Sequence, residues 1–127
     1  MSATAHLGDS PLLRTYYTIL TGGIEEYGDG RELMPLLADD FVFDGPIAGV
    51  VAGAGRFAQG VRGFVEAVRE VSFVQAVGAD DSAAVLYDAV LPNGTVRFAE
   101  FFEFSNGTIK TLHIHYNAAE YVAAGGH

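Results

Sequence analysis

The second half of the chain alternates apolar and polar residues, and this pattern constrains the fold more than any other feature of the sequence. A period of two is typical of strands with one buried face. It predicts four strands, at about residues 72–78, 83–91, 95–104 and 109–117. Turn-forming residues separate the last three, namely Pro92-Asn93-Gly94 and Asn106-Gly107. Because Asn-Gly between alternating runs is a strong hairpin signal, we expect an antiparallel meander.

The first half of the chain has the spacing of helices. Ser10 followed by Pro11 predicts a helix start, and apolar residues then recur at spacings of three and four. Further helices are predicted at about residues 31–38 and 57–68, and extended segments at 41–43 and 47–52. Helices early and strands late indicate an α+β fold with a curved antiparallel sheet.

Composition limits the possible partners. The 127 residues suit a single domain, with a core at about residues 10–118 and loose ends. The absence of cysteine excludes disulfides and thiol chemistry, and a formal charge of −9 argues against nucleic acid and anionic membranes. The first residues resemble no signal peptide, so we expect a cytoplasmic protein.

One carboxylate breaks the pattern of the strand at 95–104. The face that carries Val96, Phe98, Phe102 and Phe104 must be buried, and Glu100 lies on it. Burial of a carboxylate among apolar neighbours raises its pKa, which can produce a general acid or base. The alternative is a structural carboxylate that a tyrosine or a buried water satisfies.

The hairpin that precedes Glu100 suggests a partner for it. If Asn93 and Gly94 form the turn, Tyr87 lies directly opposite Glu100 and can hydrogen-bond to it. On the same register argument, Asp88 and Arg97 fall on the outer face as an exposed pair.

Other candidates have weaker signals. Asp44 ends the strand at 41–43 and either caps a turn or reaches a cavity mouth. Tyr16 and Tyr17 point about 100° apart on the first helix, so at most one of them donates into a pocket. His113 and His115 share the outer face of the last strand, a spacing that metals use, but no third ligand is obvious. We therefore expect no metal, and a homodimer through this outer face, where Phe101 would otherwise be exposed.

Two segments resemble a known family. Residues 36–46 (LLADDFVFDGP) resemble the helix-to-strand segment of the SnoaL-like polyketide cyclases, and residues 102–109 resemble their final hairpin. That group belongs to the nuclear-transport-factor-2-like superfamily, together with steroid delta-isomerases and limonene epoxide hydrolases. The resemblance implies a cone-shaped sheet wrapped around three helices, with a deep apolar cavity, and a dimer.

The resemblance also implies roles for individual residues. Glu100 falls where steroid isomerases keep a protonated acid that binds an oxyanion together with a first-helix tyrosine, for which Tyr17 is the better match. The position of the isomerase base is Gly45, so Asp44 fits only after a slip of one residue. Cyclases and epoxide hydrolases have an acid where this chain has Ile114. The expected ligand-binding residues are Tyr16, Tyr87, Phe98, Phe102, Leu112, Ile114 and Tyr116.

Three functions remain open at this point. The first is a cofactor-independent enzyme that isomerises, cyclises or dehydrates a steroid- or polyketide-like substrate, with Glu100, Tyr17 and Asp44 as catalytic residues. The second is a protein that binds an apolar ligand without turnover. The third is a dimerisation module whose interior is plugged, for which we expect a cavity below about 100 Å³.

Overall fold

The computed structural model describes residues 10–127, which form six strands and five short α-helices. The strands are β1 (Leu37–Gly45), β2 (Gly49–Ala52), β3 (Glu70–Gly78), β4 (Ser82–Leu91), β5 (Gly94–Ser105) and β6 (Thr108–His115). The helices are α1 (Pro11–Leu20), α2 (Ile24–Tyr27), α3 (Ala54–Gly60), α4 (Arg62–Ala67) and α5 (Ala118–Ala123). The α+β fold expected from the sequence is therefore confirmed.

All six strands belong to one sheet, in the order β2-β1-β6-β5-β4-β3. The predicted meander from β3 to β6 is antiparallel, as expected, and β1 joins its last strand in parallel. The β4–β5 turn lies at Pro92 and Asn93 instead of Asn93 and Gly94, because Leu91 pairs with Gly94. The register therefore differs by two residues from the predicted one, which leaves every side chain on its predicted face.

The core lies between the inner face of the sheet and the helices. Ser10 caps α1 by accepting a hydrogen bond from the amide of Leu13, at 3.2 Å, as its position before Pro11 predicts. The apolar stripe of α1 is buried at Leu13, Tyr16, Tyr17 and Leu20. Among residues 10–127, no helix is long and apolar enough to cross a membrane.

Two predicted helices differ from the structure. Residues 31–38 do not form an α-helix: a single 3₁₀ turn at Met34–Leu36 leads directly into β1. Pro35 has no amide hydrogen to continue a helix, and the strand pairing of Leu37 replaces the last helical turn. The helix predicted at 57–68 is divided in two at Val61, where Gly60 and Gly63 weaken the helical backbone on either side.

The C-terminal segment, expected to be loose, forms the helix α5. Asn117 caps α5 by accepting a hydrogen bond from the amide of Glu120, at 2.9 Å. Tyr121 is buried with its ring against Phe98 and Tyr116. This packing places α5 over one end of the sheet's inner face. The expectation of a loose N-terminal end falls on residues 1–9, which lie outside the described residues.

Candidate active site

A cavity of about 200 Å³ opens between the inner face of the sheet and helices α1, α3, α4 and α5. Its walls are mostly apolar and come from every one of these elements, with Phe57, Phe64, Phe98 and Ile114 among them. Four buried residues with polar side-chain atoms, Tyr16, Tyr87, Glu100 and Tyr121, also line it. Tyr16, Tyr87 and Glu100 are the least accessible of the four, so they mark the inner end of the cavity.

Glu100 is the buried acid that the alternation of β5 predicts. Its side chain is 2% exposed, and each of its carboxyl oxygens accepts a hydrogen bond from a tyrosine. The hydroxyl of Tyr17 donates to Oε1 and the hydroxyl of Tyr87 donates to Oε2, both at 2.5 Å. The predicted contact between Tyr87 and Glu100 is therefore present, although Val85 and not Tyr87 lies directly opposite Glu100.

The surroundings of Glu100 bring its pKa close to neutral pH. Burial raises the pKa of Glu100 from 4.5 to about 7, and the hydrogen bonds from Tyr17 and Tyr87 lower it in part. Burial, together with the charge of Glu100, raises the pKa of both tyrosines well above 10, so both remain donors. At neutral pH the Glu100 carboxyl group is thus populated in both forms and can accept or release a proton.

Tyr16 belongs to the wall of the same cavity, and its buried hydroxyl is unpartnered among the described residues. Its ring is fully buried and packs edge-on against Tyr17 and Phe102, with centroids 5.1 and 5.6 Å away. Its hydroxyl has no hydrogen-bond partner within residues 10–127. Burial raises the pKa of Tyr16 well above 10, so the hydroxyl keeps its proton. A buried donor without an acceptor is unfavourable, and a ligand oxygen in the cavity would satisfy it.

The structure separates the other predicted ligand-binding residues into two groups. Phe98, Ile114 and Tyr116 line the cavity together with Tyr16 and Tyr87. Phe102 and Leu112 are buried but are not part of the cavity wall. Tyr17 is also absent from the wall and contacts Glu100 from behind, so the first-helix tyrosine that can reach a ligand is Tyr16.

Asp44, the sequence's candidate for a base, is not part of the cavity wall. It pairs in the sheet with His113, and its Oδ2 lies 3.5 Å from Nδ1 of that histidine on the outer face. Phe43 lines the cavity instead, because successive residues of a strand point to opposite faces. The alternation of Phe41 and Phe43 in the sequence already contained this information. Among the described residues, Glu100 is therefore the only acid of the cavity wall.

His113 and His115 lie on the outer face, as predicted, where both are exposed. The described residues contain no group of three or more His, Asp or Glu side chains that could hold a metal ion. Asp88 and Arg97 form the predicted exposed pair on the same face, with Nε of the arginine 2.8 Å from Oδ1 of the aspartate.

Sequence reasoning missed the contributions of α3 and of the C-terminal segment. Arg56 from α3, and Tyr121 and His127 beyond β6, all line the cavity. The cap residue Asn117 and the helical spacing after it could have predicted the helix that carries Tyr121. Nothing local in the sequence indicates that Arg56 and His127 approach the same opening.

The chain matches the family model described as a SnoaL-like domain over residues 13–112. No curated protein gives a significant match. Among solved structures, a protein from Kribbella flavida superposes with a TM-score of 0.77 at 24% identity, over 95% of this chain and 93% of its own. A nuclear-transport-factor-2-like protein of unknown function from Cytophaga hutchinsonii has a TM-score of 0.68 at 17% identity, with coverages of 87% and 91%. A proposed ketosteroid isomerase, also from Kribbella flavida, has a TM-score of 0.71 at 18% identity, with coverages of 85% and 76%.

Proposed function

Because this chain belongs to the family of SnoaL-like domains, with the fold of ketosteroid isomerase-like proteins, we propose that it is a cofactor-independent acid/base enzyme. Its substrate would be an apolar small molecule with a carbonyl group, which it isomerises, cyclises or dehydrates. The observation that carries the proposal is Glu100, an acid with a pKa of about 7 at the inner end of an apolar cavity. A general base or acid works best when its pKa lies near the working pH.

The chemistry would begin with the carbonyl oxygen of the substrate accepting a hydrogen bond from Tyr16. The ionised Glu100 removes a proton from the carbon next to the carbonyl, and the C–H electron pair forms a C=C bond. The carbonyl π electrons move onto the oxygen, where Tyr16 stabilises the negative charge. If the substrate has a C=C bond between its β and γ carbons, Glu100, now protonated, returns the proton to the γ carbon of the resulting dienolate. The oxygen electrons then re-form the C=O bond, and the C=C bond ends conjugated with the carbonyl, which completes an isomerisation. Tyr17 and Tyr87 would hold the carboxyl group in place through both steps.

The presence of one acid favours isomerisation among the three reactions. With Asp44 on the outer face, a single carboxyl group would have to remove and return the proton. An isomerisation needs no second group for this, because the proton moves between two atoms of the same substrate. Aldol-type cyclisation and dehydration begin with the same proton removal, and they remain within the proposal.

The cavity volume bears on the size of the substrate. An apolar cavity of about 150 Å³ is large enough for benzene, and pockets for drug-sized ligands begin at about 300 Å³. At about 200 Å³, the cavity suits one or two rings. A steroid- or polyketide-like substrate would therefore be enclosed at one end only, with the rest of the molecule at the opening.

The test is turnover of a cyclic β,γ-unsaturated ketone by Glu100→Gln, with Glu103→Gln as the matched control on the outer face of the same strand. We expect Glu100→Gln to lower kcat by at least about 100-fold, because positioned acids and bases contribute at least that factor. Glu103→Gln should retain wild-type turnover. A loss below about tenfold in Glu100→Gln would remove Glu100 from the chemistry.

The second candidate function is binding of an apolar ligand without turnover. It is favoured by the single acid of the cavity wall among the described residues, since many acid/base enzymes use two groups. It predicts ligand affinity that survives Glu100→Gln, with no product formed by the wild-type protein. A plugged dimerisation module is less favoured, because the cavity is about twice the 100 Å³ limit set for it.

We also propose that the protein is a cytoplasmic homodimer joined through the outer face of the sheet. Phe101 is 47% exposed there, and its ring lies 5.9 Å from that of His115. Exposed aromatic surface of this kind favours association. Phe101→Asp should give a monomer by light scattering, while Glu103→Gln leaves the dimer intact. A wild-type protein that is monomeric at all accessible concentrations would contradict this proposal.

A further inference from the structure

Polar side chains mark both ends of the cavity. Tyr16, Tyr87 and Glu100 are buried and mark the inner end, whereas Arg56 and His127 are exposed and mark the opening. The rest of the wall is mostly apolar and largely aromatic, and it includes Tyr116 and Tyr121. A ligand that fills this cavity therefore meets polar groups twice, once at each end of an apolar body.

Arg56 is the free cation at the opening. Within residues 10–127, its guanidinium group makes no hydrogen bond or ion pair, and no other arginine or lysine lines the cavity. His127 is already engaged, because its Nε2 lies 3.0 Å from Oε1 of Glu66. An incoming anion would thus find one unoccupied guanidinium group beside an apolar passage.

The charge of the whole protein makes this position unusual. The chain has 16 acidic and 7 basic residues, a formal charge of −9, so its average field repels anions. Only a local cation can reverse that repulsion at short range. An arginine also presents a planar fork of N–H groups that matches both oxygens of a carboxylate.

We propose that the ligand of this cavity is an apolar oxo acid, whose carboxylate binds Arg56 at the opening while its ketone oxygen reaches Tyr16 at the inner end. This inference rests on the proposed function for the role of the inner end, and it adds the substrate class. Arg56 is then a specificity residue that reads the charged end of the substrate and takes no part in proton transfer.

The experiment measures binding and not turnover, so that it can fail separately from the proposed chemistry. The probes are aryl ketones in which an acetylphenyl ring is joined to a carboxylate, directly or through two or four methylenes. Titration calorimetry compares the affinity for each carboxylate with the affinity for its primary amide. The amide keeps the shape and the ketone but removes the charge. The variants are Arg56→Gln, Arg56→Lys and, as the matched control, Arg62→Gln, which alters an exposed arginine outside the cavity wall.

We expect the wild-type protein to bind the carboxylate of at least one chain length about tenfold more tightly than its amide, which corresponds to one charge-assisted contact. Arg56→Gln should abolish this preference and leave the amide affinity unchanged. Arg56→Lys should keep part of the preference, and Arg62→Gln should keep all of it.

Two results would overturn the inference while the proposed function stands. One is binding of the amides with no preference for the acids, and the other is a preference that persists in Arg56→Gln. If neither the acids nor the amides bind at any length, the inference and the ketone-binding role of the cavity both fail. Loss of turnover in Glu100→Gln with equal affinity for acid and amide would support the chemistry and reject the charged substrate.

Discussion

The two faces of β5 place the same residue types in opposite environments. Glu100 on the inner face is 2% exposed and accepts hydrogen bonds from Tyr17 and Tyr87. Glu103 on the outer face is exposed and accepts a hydrogen bond from Thr111 at 2.6 Å. Burial raises the pKa of Glu100 to about 7, so the reactivity of this acid arises from desolvation and not from residue type.

The aromatic residues of β5 follow the same rule. Phe102 is 1% exposed and packs against Tyr16, whereas Phe101 is 47% exposed. The outer face is maintained by polar pairs such as Asp88 with Arg97, in which the hydrogen bond from Arg97 lowers the pKa of Asp88. One face thus supplies a core and a reactive acid, while the other supplies a surface.

The largest expected effect concerns the two phenylalanines. Phe102→Ala should lower the free energy of unfolding by about 3–5 kcal/mol, because it leaves a cavity beneath the site. Phe101→Ala should lower it by less than about 1 kcal/mol when both variants are measured at concentrations at which the protein is monomeric. Urea unfolding of both variants measures the difference. An equal loss in the two variants would show that the outer face is as buried as the inner one.

The next effect is the pH dependence of stability. The pKa of Glu100 is higher in the folded protein than its ordinary value of 4.5, so between those values the folded state binds more protons than the unfolded state. Stability is therefore greatest below about pH 4.5 with respect to this group, and it falls as the pH rises through about 7. The total loss is about 3 kcal/mol.

Urea unfolding from pH 4.5 to 8 tests this dependence on Glu100. Glu100→Gln should remove the loss of stability, so that the variant gains on the wild type by about 3 kcal/mol over this range. Glu103→Gln should keep the wild-type dependence. Parallel curves for Glu100→Gln and the wild type would contradict a raised pKa for Glu100.

The smallest effect is on the pKa of Glu100 itself. Tyr17→Phe and Tyr87→Phe each remove a donor that stabilises the ionised form, so each should raise the pKa of Glu100 by about one unit above its value of about 7. Titration of the Glu100 carboxyl carbon by NMR measures the shift. Tyr116→Phe is the control, since Tyr116 lines the cavity and makes no hydrogen bond to Glu100 in the described part of the chain. A shift in the control as large as in Tyr17→Phe would assign the effect to packing.

Local sequence patterns predicted most of the strands and which residues lie on the inner and outer faces of the sheet. The alternation in β5 and β6 is a property of neighbouring residues, and it identified the inner face, Glu100 and the outer histidines without knowledge of register. The same alternation in β1 predicts that Asp44 points to the outer face. Its place at a strand end beside Gly45-Pro46 suggested instead a turn cap or a residue at the cavity mouth. The helix predicted at 31–38 failed because strand pairing with β6 outweighed the local spacing.

The site itself depends on contacts between distant parts of the chain. Tyr17 is 83 residues from Glu100 in sequence, and only the packing of α1 on the sheet brings their oxygens together. The choice between Tyr16 and Tyr17 as the free donor, and the approach of Arg56 and His127 to one opening, have the same origin. The sequence by itself determined which acid is buried, because the side of a strand follows from a period of two. Only the tertiary structure decided which groups surround that acid, because no local pattern specifies how separate elements pack.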